Sequence, residues 1–329
     1  MKYFLSGAPI STISLPKSAF DEPAQSDLVS LLEAHLADFD SSYNRNRCLQ
    51  LLKRIVNVAN ESNTDVCDNI YDMICWLCVE DGSSETGQGW RLKQFILPSL
   101  SVISIRERVA NLSSGTTGLS VWDAAFAMSS WLHANAASIF ANKHVLELGS
   151  GLGLPGLVLL KSTASLLSYT FTDIDRQVLS ALKWNVLRSL ELDLQSDQSD
   201  LDSVWKFGSS EVAIAQLDWR AENLRCLPQR PDFVLGSDVI YDEDTAEALV
   251  RILEKLLDWN SHLTVHIWQT KRQPATLEYF HKLLDDAGLS SQCEDASATC
   301  TLDDGFCFPI SDSDVRQIYF ITVTANRDC

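Results

Sequence analysis

Residues 26–80 repeat their apolar side chains every three or four positions. That spacing places the apolar side chains on one face of an α-helix. Two such stripes follow one another, the first from Leu28 to Phe39 and the second from Cys48 to Ala59. The pattern predicts a small helical region at the start of the chain.

A different pattern follows the helical one. Residues 81–89 are rich in Gly, Ser and acidic side chains, which is typical of a connector. Beyond it, Leu92–Leu97 and Ser101–Ile105 alternate in polarity around Pro98-Ser99. Alternation on both sides of such a pair predicts a β-hairpin.

From about Val121 onward, short apolar runs alternate with helix-like segments. This order predicts an α/β fold with a mostly parallel sheet and helices on both faces. The final run, Val315–Val323, is expected to insert antiparallel, and we place a domain boundary between residues 110 and 111. The predicted strands are Val145–Leu148, Tyr169–Thr172, Val212–Leu217, Phe233–Gly236 and Leu263–Trp268, and the predicted helices are 154–166, 176–190, 243–258 and 275–287.

The net charge of the chain limits the kinds of molecule that it is expected to bind. The 329 residues include 26 Lys plus Arg and 44 Asp plus Glu, which gives a formal net charge of −18. A surface of this sign repels nucleic acid and anionic lipid, and it favours a basic or lysine-bearing protein partner. The acidic segment 191–203 is expected to be a solvated loop.

The chain shows no signal for a membrane span or for secretion. It has no apolar run of about 18 residues, and the apolar stretch at its start is too short for the apolar region of a signal peptide. Nine cysteines, an odd number, indicate buried thiols in a reducing compartment. Cys75 and Cys78 stand in a C-x-x-C spacing, for which we expect core thiols and no metal site. We therefore expect an intracellular, cytoplasmic protein.

The first candidate for chemistry is the glycine-rich stretch from His144 to Gly156. A buried strand runs into Gly149-Ser-Gly151 and then into a helix with Pro155 in its first turn. Gly151 to Gly156 is also a literal G-x-G-x-x-G, and Asp173 stands at the distance expected for an acid that binds ribose. This spacing fits a nicotinamide dinucleotide and S-adenosylmethionine equally well.

Glu147 is a carboxylate in the middle of an apolar strand. Its burial must be offset by hydrogen bonds or by an opposite charge. One interpretation is that it serves a bound cofactor, and the alternative is a structural ion pair.

Two further motifs follow predicted strands. In Gln216-Leu-Asp-Trp219, the Trp219 indole could stack on adenine and Asp218 could accept from its exocyclic amine, although a surface or core tryptophan is an equal alternative. In Leu235–Tyr241, Asp238 and Tyr241 could orient an amine for in-line attack on a sulfonium methyl group. Because a carboxylate also stabilises the charged ammonium, we assign Asp238 orientation and not necessarily the role of base. The alternative for Tyr241 is packing on the next helix.

These motifs together resemble the family-16 seven-strand protein methyltransferases, in which Asp-x-x-Tyr follows the fourth strand. Three segments near the amino terminus resemble the helical extension of those members that methylate elongation factor 2. The elements that carry the resemblance are Gly115–Ala125, Val145–Gly151, Ala215–Trp219 and Asp238–Tyr241, and in the extension Asn46–Leu49, Asp68–Tyr71 and Phe95–Pro98.

The resemblance implies a Rossmann-like seven-stranded methyltransferase sheet with an amino-terminal helical extension. It implies S-adenosylmethionine as cofactor and a lysine of elongation factor 2 as acceptor, and we expect a monomer. Ser237 stands where the family usually has Ala, and Pro155 where Thr is common. The implied contacts are Trp122 against the cofactor, Glu147, Gly149, Ser150 and Gly151 at its methionine end, Asp173 at the ribose, Asp218 and Trp219 at the adenine, Ser237 through its backbone, and Asp238 with Tyr241 at the lysine.

Three alternatives remain open from the sequence. The first is a methyltransferase of another protein substrate. The second is a nicotinamide-dependent oxidoreductase, which would leave the Asp-Trp and Asp-x-x-Tyr motifs without a role and has no Tyr-x-x-x-Lys set. The third is a non-catalytic binding module on the same fold.

Overall fold

The computed structural model describes residues 2–38, 42–78, 89–99, 101–109, 117–163, 165–193, 203–221, 223–298, 308 and 312–325. The predicted amino-terminal helices are present, and their apolar faces meet in a core that includes the fully buried Leu32, Leu52 and Ile70. The helices of this region are α1 (Lys2–Leu5), α2 (Glu22–Asp38), α3 (Ser42–Glu61) and α4 (Asp68–Cys78).

The cysteines of α4 correct one expectation. Cys75 and Cys78 are exposed and are not core thiols, and Cys48 is the only buried one among the six free cysteines of the described residues. The buried face of α4 consists of Ile70, Met73 and Leu77. Helical spacing therefore turns both thiols of the C-x-x-C motif toward solvent.

The predicted hairpin consists of β1 (Trp90–Ile96) and β2 (Val102–Arg108), paired antiparallel. The hairpin contacts both the core of the large sheet and the amino-terminal helices. The side chains of Phe95 and Ile103 join the apolar core of the large sheet, whereas a 2.8 Å hydrogen bond links Gln94 Oε1 to Nδ1 of His35 on α2. The boundary at residues 110 and 111 lies outside the described residues, and the division into two domains stays a prediction.

A second region alternates helices and strands as predicted. Its elements are α5 (Asp123–Ile139), β3 (His144–Leu148), α6 (Leu154–Ser162), β4 (Ser168–Asp173), α7 (Arg176–Ser189), β5 (Ser203–Phe207), β6 (Ser210–Gln216), β7 (Phe233–Ser237), α8 (Glu243–Trp259), β8 (Thr264–Thr270), α9 (Pro274–Asp286), β9 (Leu289–Asp295), α10 (Asp312–Val315) and β10 (Ile318–Ala325).

The strands form one sheet in the order β5-β6-β4-β3-β7-β8-β10-β9. Strands β6, β4, β3, β7 and β8 are parallel, and β10 inserts antiparallel between β8 and β9. The predicted parallel sheet with an antiparallel last strand is confirmed. Because the chain runs outward from β3 through β4 and then returns to β7, a ligand crevice is expected at the carboxyl end of β3.

The sheet has one strand more than the seven expected. Strand β5 pairs antiparallel with β6 at the edge of the sheet, and its first residue, Ser203, belongs to the segment that we predicted as a loop. Residues 194–202 of that segment lie outside the described residues. None of the helices that the structure describes is both long and apolar enough to cross a membrane.

Candidate active site

The glycine loop follows β3 and has a backbone that only glycine adopts without strain. Gly149, Gly151 and Gly153 have φ values of 60°, 51° and 82°, in the left-handed region. A Cβ atom at Gly153 would lie 2.4 Å from Leu182 Cδ1. The loop is tied to β4 by a hydrogen bond of 2.7 Å from Ser150 N to Thr172 O.

Sequence motifs that are far apart in the chain meet at this loop. A Cβ atom at Gly149 would lie 3.6 Å from Cζ2 of Trp219 and 3.0 Å from Cγ1 of Val239. A Cβ atom at Gly151 would lie 3.4 Å from the carbonyl oxygen of Gly118. The absence of side chains at both glycines therefore keeps open the space between the loop and these neighbours.

Glu147 lies beneath the loop and is 1% exposed. Neither of its carboxylate oxygens has a hydrogen-bond partner of normal geometry among the described residues, and the same is true of the nearby Tyr169 hydroxyl. Burial raises the pKa of Glu147 from its ordinary value of 4.5 to about 8, although the hydroxyls of Tyr169 and Ser150 offset part of this increase. The structural ion pair considered from the sequence is not formed with any described residue.

Asp173 ends β4 beside the glycine loop. Its carboxylate accepts hydrogen bonds from the backbone N–H of Gly151 (3.2 Å) and of Asp175 (3.0 Å). Burial raises the pKa of Asp173, and these backbone donors oppose the increase. The acid is thus held against the loop, as the sequence spacing predicts.

Asp218 and Trp219 follow β6 at the same edge of the sheet and are both half-buried. The Asp218 carboxylate accepts a hydrogen bond from Arg220 N (2.9 Å). Ser237 ends β7, is half-buried, and pairs in register with Trp268 of β8. All three residues therefore lie at the carboxyl edge predicted for them.

Asp238 follows Ser237 with a φ of 53°, a value that is uncommon outside glycine. Its carboxylate accepts hydrogen bonds from Thr270 N (2.8 Å) and Thr270 Oγ1 (3.0 Å), at the end of the neighbouring strand β8. Its own N–H donates to Trp268 O (2.9 Å). These contacts fix the position of the carboxylate, whose side chain is 9% exposed.

Asp238 and Tyr241 line one cavity of about 280 Å³. Tyr241 is 59% exposed, so it is not a core side chain, and its role toward the acceptor stays a prediction beside the alternative of packing on the next helix. The cavity is also lined by residues from the end of β8 to the start of α9, including Thr270, Arg272 and Pro274. Asp238 and Tyr241, predicted from one motif, are therefore brought together around a space.

Trp122 immediately precedes α5, and its Nε1 donates to Thr117 O (3.0 Å). The Arg272 guanidinium carbon lies 4.7 Å from the centre of its ring. Arg272 and Thr270 were not predicted as site residues. A polar run directly after the predicted strand that ends at Trp268 is the signal that could have identified them, since carboxyl ends of parallel strands share one edge.

The hairpin supports the segment that leads to Trp122. Glu107 of β2 is fully buried and forms ion pairs with Arg91 (2.5 Å) and Lys93 (2.7 Å). Its second carboxylate oxygen accepts a hydrogen bond from Val121 N (3.1 Å), one residue before Trp122. The hairpin thus fixes the backbone directly before Trp122.

The fold and the site together define an S-adenosylmethionine-dependent methyltransferase. The family model described as lysine methyltransferase matches residues 101–286, and the chain belongs to this family. Membership decides between the two cofactors that the glycine spacing left open. The enzyme is a protein-lysine methyltransferase whose methyl donor is S-adenosylmethionine.

Its curated relatives include several named protein-lysine methyltransferases. The chain is 33% identical over 255 residues to protein-lysine N-methyltransferase EEF2KMT of Homo sapiens, in an alignment that covers 75% of this chain and 72% of the human protein. It is 31% identical to the Bos taurus protein of the same name, with 72% and 70% covered. Protein-lysine N-methyltransferase EFM3 of Chaetomium thermophilum is 23% identical, with 83% and 74% covered.

The described residues fit this cofactor. Glu147 offers buried carboxylate oxygens that have no hydrogen-bond partner of normal geometry among the described residues, which suits a ligand amine beneath the glycine loop. Trp219 comes close to Gly149 through Cζ2 and Cη2 of its ring, and an indole beside the glycine loop can stack on a flat base. Asp173 is fixed at the loop by backbone donors.

Proposed function

We propose that this enzyme methylates a lysine of elongation factor 2, acting as a monomer in the cytoplasm. Three observations support the choice of substrate. The sequence elements of the amino-terminal extension resemble those of family members that act on elongation factor 2, and relatives with about one third identity carry the name EEF2KMT. The net charge of −18 also favours a lysine-bearing partner.

One contact supports the assignment of the site more than any other. Val239 packs against Gly149, and it stands directly after Asp238 and two residues before Tyr241. The glycine loop and the Asp-x-x-Tyr motif are therefore in contact through Val239. A donor bound at the loop and an acceptor held in the neighbouring cavity would face each other across it.

The donor half of the site is assigned to residues around the loop. In this proposal the carboxylates of Glu147 and Asp173 bind the cofactor amine and ribose, and Asp218 with Trp219 holds the adenine. Gly149, Ser150, Gly151 and Ser237 contribute backbone, and Trp122 packs beside the cofactor.

The acceptor half is assigned to Asp238 and Tyr241. The bound cofactor supplies an electrophilic sulfonium methyl group, and the chain must hold a neutral lysine amine in line with it. Asp238 is suited to orientation because two hydrogen bonds from Thr270 fix its carboxylate. Tyr241 lines the cavity and is more than half exposed, so it is suited to contact the lysine stem.

The test is incubation of the purified enzyme with methyl-labelled S-adenosylmethionine and unmodified elongation factor 2. We expect label on lysine of elongation factor 2, located by mass spectrometry of its peptides. A matched reaction with elongation factor 2 that is already methylated in cells should take up much less label. Absence of label from elongation factor 2, together with label in another protein of a cell extract, would show that the substrate is a different protein.

A further inference from the structure

Arg272 lies between the two halves of the site. Its guanidinium carbon is 4.7 Å from the ring centre of Trp122. Its Nη2 atom is 3.6 Å from Oδ2 of Asp238. The proposed function places Trp122 beside the cofactor and Asp238 beside the acceptor. The guanidinium therefore stands in the path between donor and acceptor.

The contacts of Arg272 are those that a substrate lysine would need. An incoming lysine brings a cation, and both a carboxylate and the face of an indole attract cations. Arg272 contacts both the Asp238 carboxylate and the Trp122 ring. A substrate lysine therefore cannot contact these two groups while the guanidinium remains in place. This argument rests on the proposed function, since it requires that lysine enters beside Asp238.

The geometry also makes Arg272 easy to displace. Its side chain is 49% exposed, and 3.6 Å is too long for a hydrogen bond of normal strength. Asp238 does not need it, because Thr270 N and Thr270 Oγ1 hold the carboxylate at 2.8 and 3.0 Å. Movement of Arg272 would therefore leave the acceptor carboxylate in place.

The surroundings favour a cation at this position. Burial raises the pKa of Asp123, at the start of α5, and the charges of Asp314 and Asp238 raise it further, whereas those of Arg272 and Lys93 lower it. If Arg272 moved out, the carboxylates of Asp123, Asp238 and Asp314 would share less positive charge. A second cation, such as the ammonium group of an arriving lysine, would be attracted to the vacated place.

We propose that Arg272 is an internal occupant of the acceptor site, which the substrate lysine must displace before methyl transfer. The resting enzyme is autoinhibited by its own cation. When the correct protein segment enters, its lysine ammonium group replaces the Arg272 guanidinium. Small basic molecules that cannot displace the guanidinium are kept from the methyl donor.

The test compares Arg272→Ala with the unaltered enzyme in steady-state methyl transfer to elongation factor 2. Removal of the competitor is expected to lower the KM for the protein substrate by about three- to thirtyfold, the range that an exposed ion pair and a cation–π contact span together. The value of kcat should change less than about twofold, because the productive complex no longer contains the Arg272 contact. Arg272→Lys retains a cation and should keep a KM near that of the unaltered enzyme.

Arg251→Ala is the matched control. Arg251 is also about half exposed and pairs with Glu247 on the surface of α8, so its loss changes the net charge without touching the site. It should leave KM unchanged. An unchanged or higher KM in Arg272→Ala, or a loss of kcat, would overturn the inference.

A second measurement separates this inference from the choice of substrate. Nα-acetyl-lysine amide is titrated by calorimetry into each variant in the presence of adenosylhomocysteine. We expect it to bind Arg272→Ala more tightly than the unaltered enzyme by a similar factor. If it does so while elongation factor 2 takes up no label from either enzyme, the substrate proposal fails and the role of Arg272 stands. If it binds both enzymes equally, the role of Arg272 is wrong whatever the substrate.

Discussion

The donor and acceptor halves of the site are built in different ways. The donor half is made of backbone and buried side chains, with three left-handed glycines above a Glu147 that is almost fully enclosed. In the acceptor half, the side chain of Asp238 is only 9% exposed, but the side chains around it, Tyr241 and Arg272, are about half exposed. The two halves touch at Gly149 and Val239.

This difference fits the two ligands that we assign to the halves. A cofactor is the same in every turnover, so a rigid cradle of backbone suits it. A protein substrate brings part of the surroundings of its own lysine, so the acceptor half can stay partly exposed to solvent, with Arg272 in place, until the partner arrives. Substitutions in the donor half should therefore affect stability and cofactor affinity, and those in the acceptor half should affect transfer.

The largest effect is expected for Gly153→Ala. The new Cβ atom would meet Leu182 at 2.4 Å, on a backbone with φ of 82°. Left-handed strain and overpacking together should lower the free energy of unfolding by about 2–5 kcal/mol, measured by denaturant titration. Gly208→Ala is the control, because φ is 58° there and nothing lies within 4 Å of the new atom. An equal loss in both variants would mean that the close packing of the loop is unimportant.

Asp238→Ala should reduce methyl transfer strongly and cofactor affinity little. Loss of the orienting carboxylate is expected to lower kcat/KM by about 100-fold or more, near 2.7 kcal/mol. Adenosylhomocysteine should bind within a few fold of its normal affinity, as calorimetry can measure. Asp244→Ala, an exposed acid in the first turn of α8, should retain transfer. Full activity of Asp238→Ala would show that Asp238 does not orient the acceptor lysine.

Trp219→Ala should have the opposite effect to Asp238→Ala, because it should lower cofactor affinity and leave methyl transfer largely intact. Loss of the stacking surface beside Gly149 is expected to weaken adenosylhomocysteine by about 1–3 kcal/mol. At saturating cofactor, kcat should recover toward the normal value. Trp259→Ala, on the partly exposed end of α8, should leave the affinity unchanged. A normal affinity in Trp219→Ala would place the adenine elsewhere.

Glu147→Gln should change the pH dependence of stability in the cofactor-free enzyme. The folded state holds the proton up to a pH of about 8, because burial raises the pKa of Glu147 from 4.5, whereas the unfolded state releases it near 4.5. The free energy of unfolding should therefore decrease between these values, by about 1.4 kcal/mol per pH unit at most. Denaturant titrations at pH 6, 7 and 8 should show that Glu147→Gln removes this slope. Glu211→Gln, a partly exposed acid, should keep it.

Much of the donor half was predictable from the sequence because its signals are local. The sequence spacing alone predicts a strand, three glycines after it and Asp173 about 20 residues beyond the glycines. The structure places these residues as predicted. Glu147 was also identifiable, since a carboxylate in an apolar strand calls for an explanation. The parallel sheet followed from the alternation of apolar runs and helical segments.

The missed features depend on contacts between distant parts of the chain. Strand β5 has exposed Val204 and Lys206, and only its pairing with β6 makes it a strand. The ion pairs of Glu107 and its bond to Val121 need the hairpin and α5 to be placed first. Arg272 reaches Trp122 across 150 residues of sequence. The exposed thiols of Cys75 and Cys78 show that composition alone does not decide which face of a helix is buried.

The most direct test of the account is a crystal structure of the enzyme with adenosylhomocysteine. We predict adenosyl density between the glycine loop and Trp219, with the sulfur atom directed at the cavity beside Asp238. Density at another place, or an Asp238 carboxylate turned away from the sulfur, would contradict the assignment of the two halves.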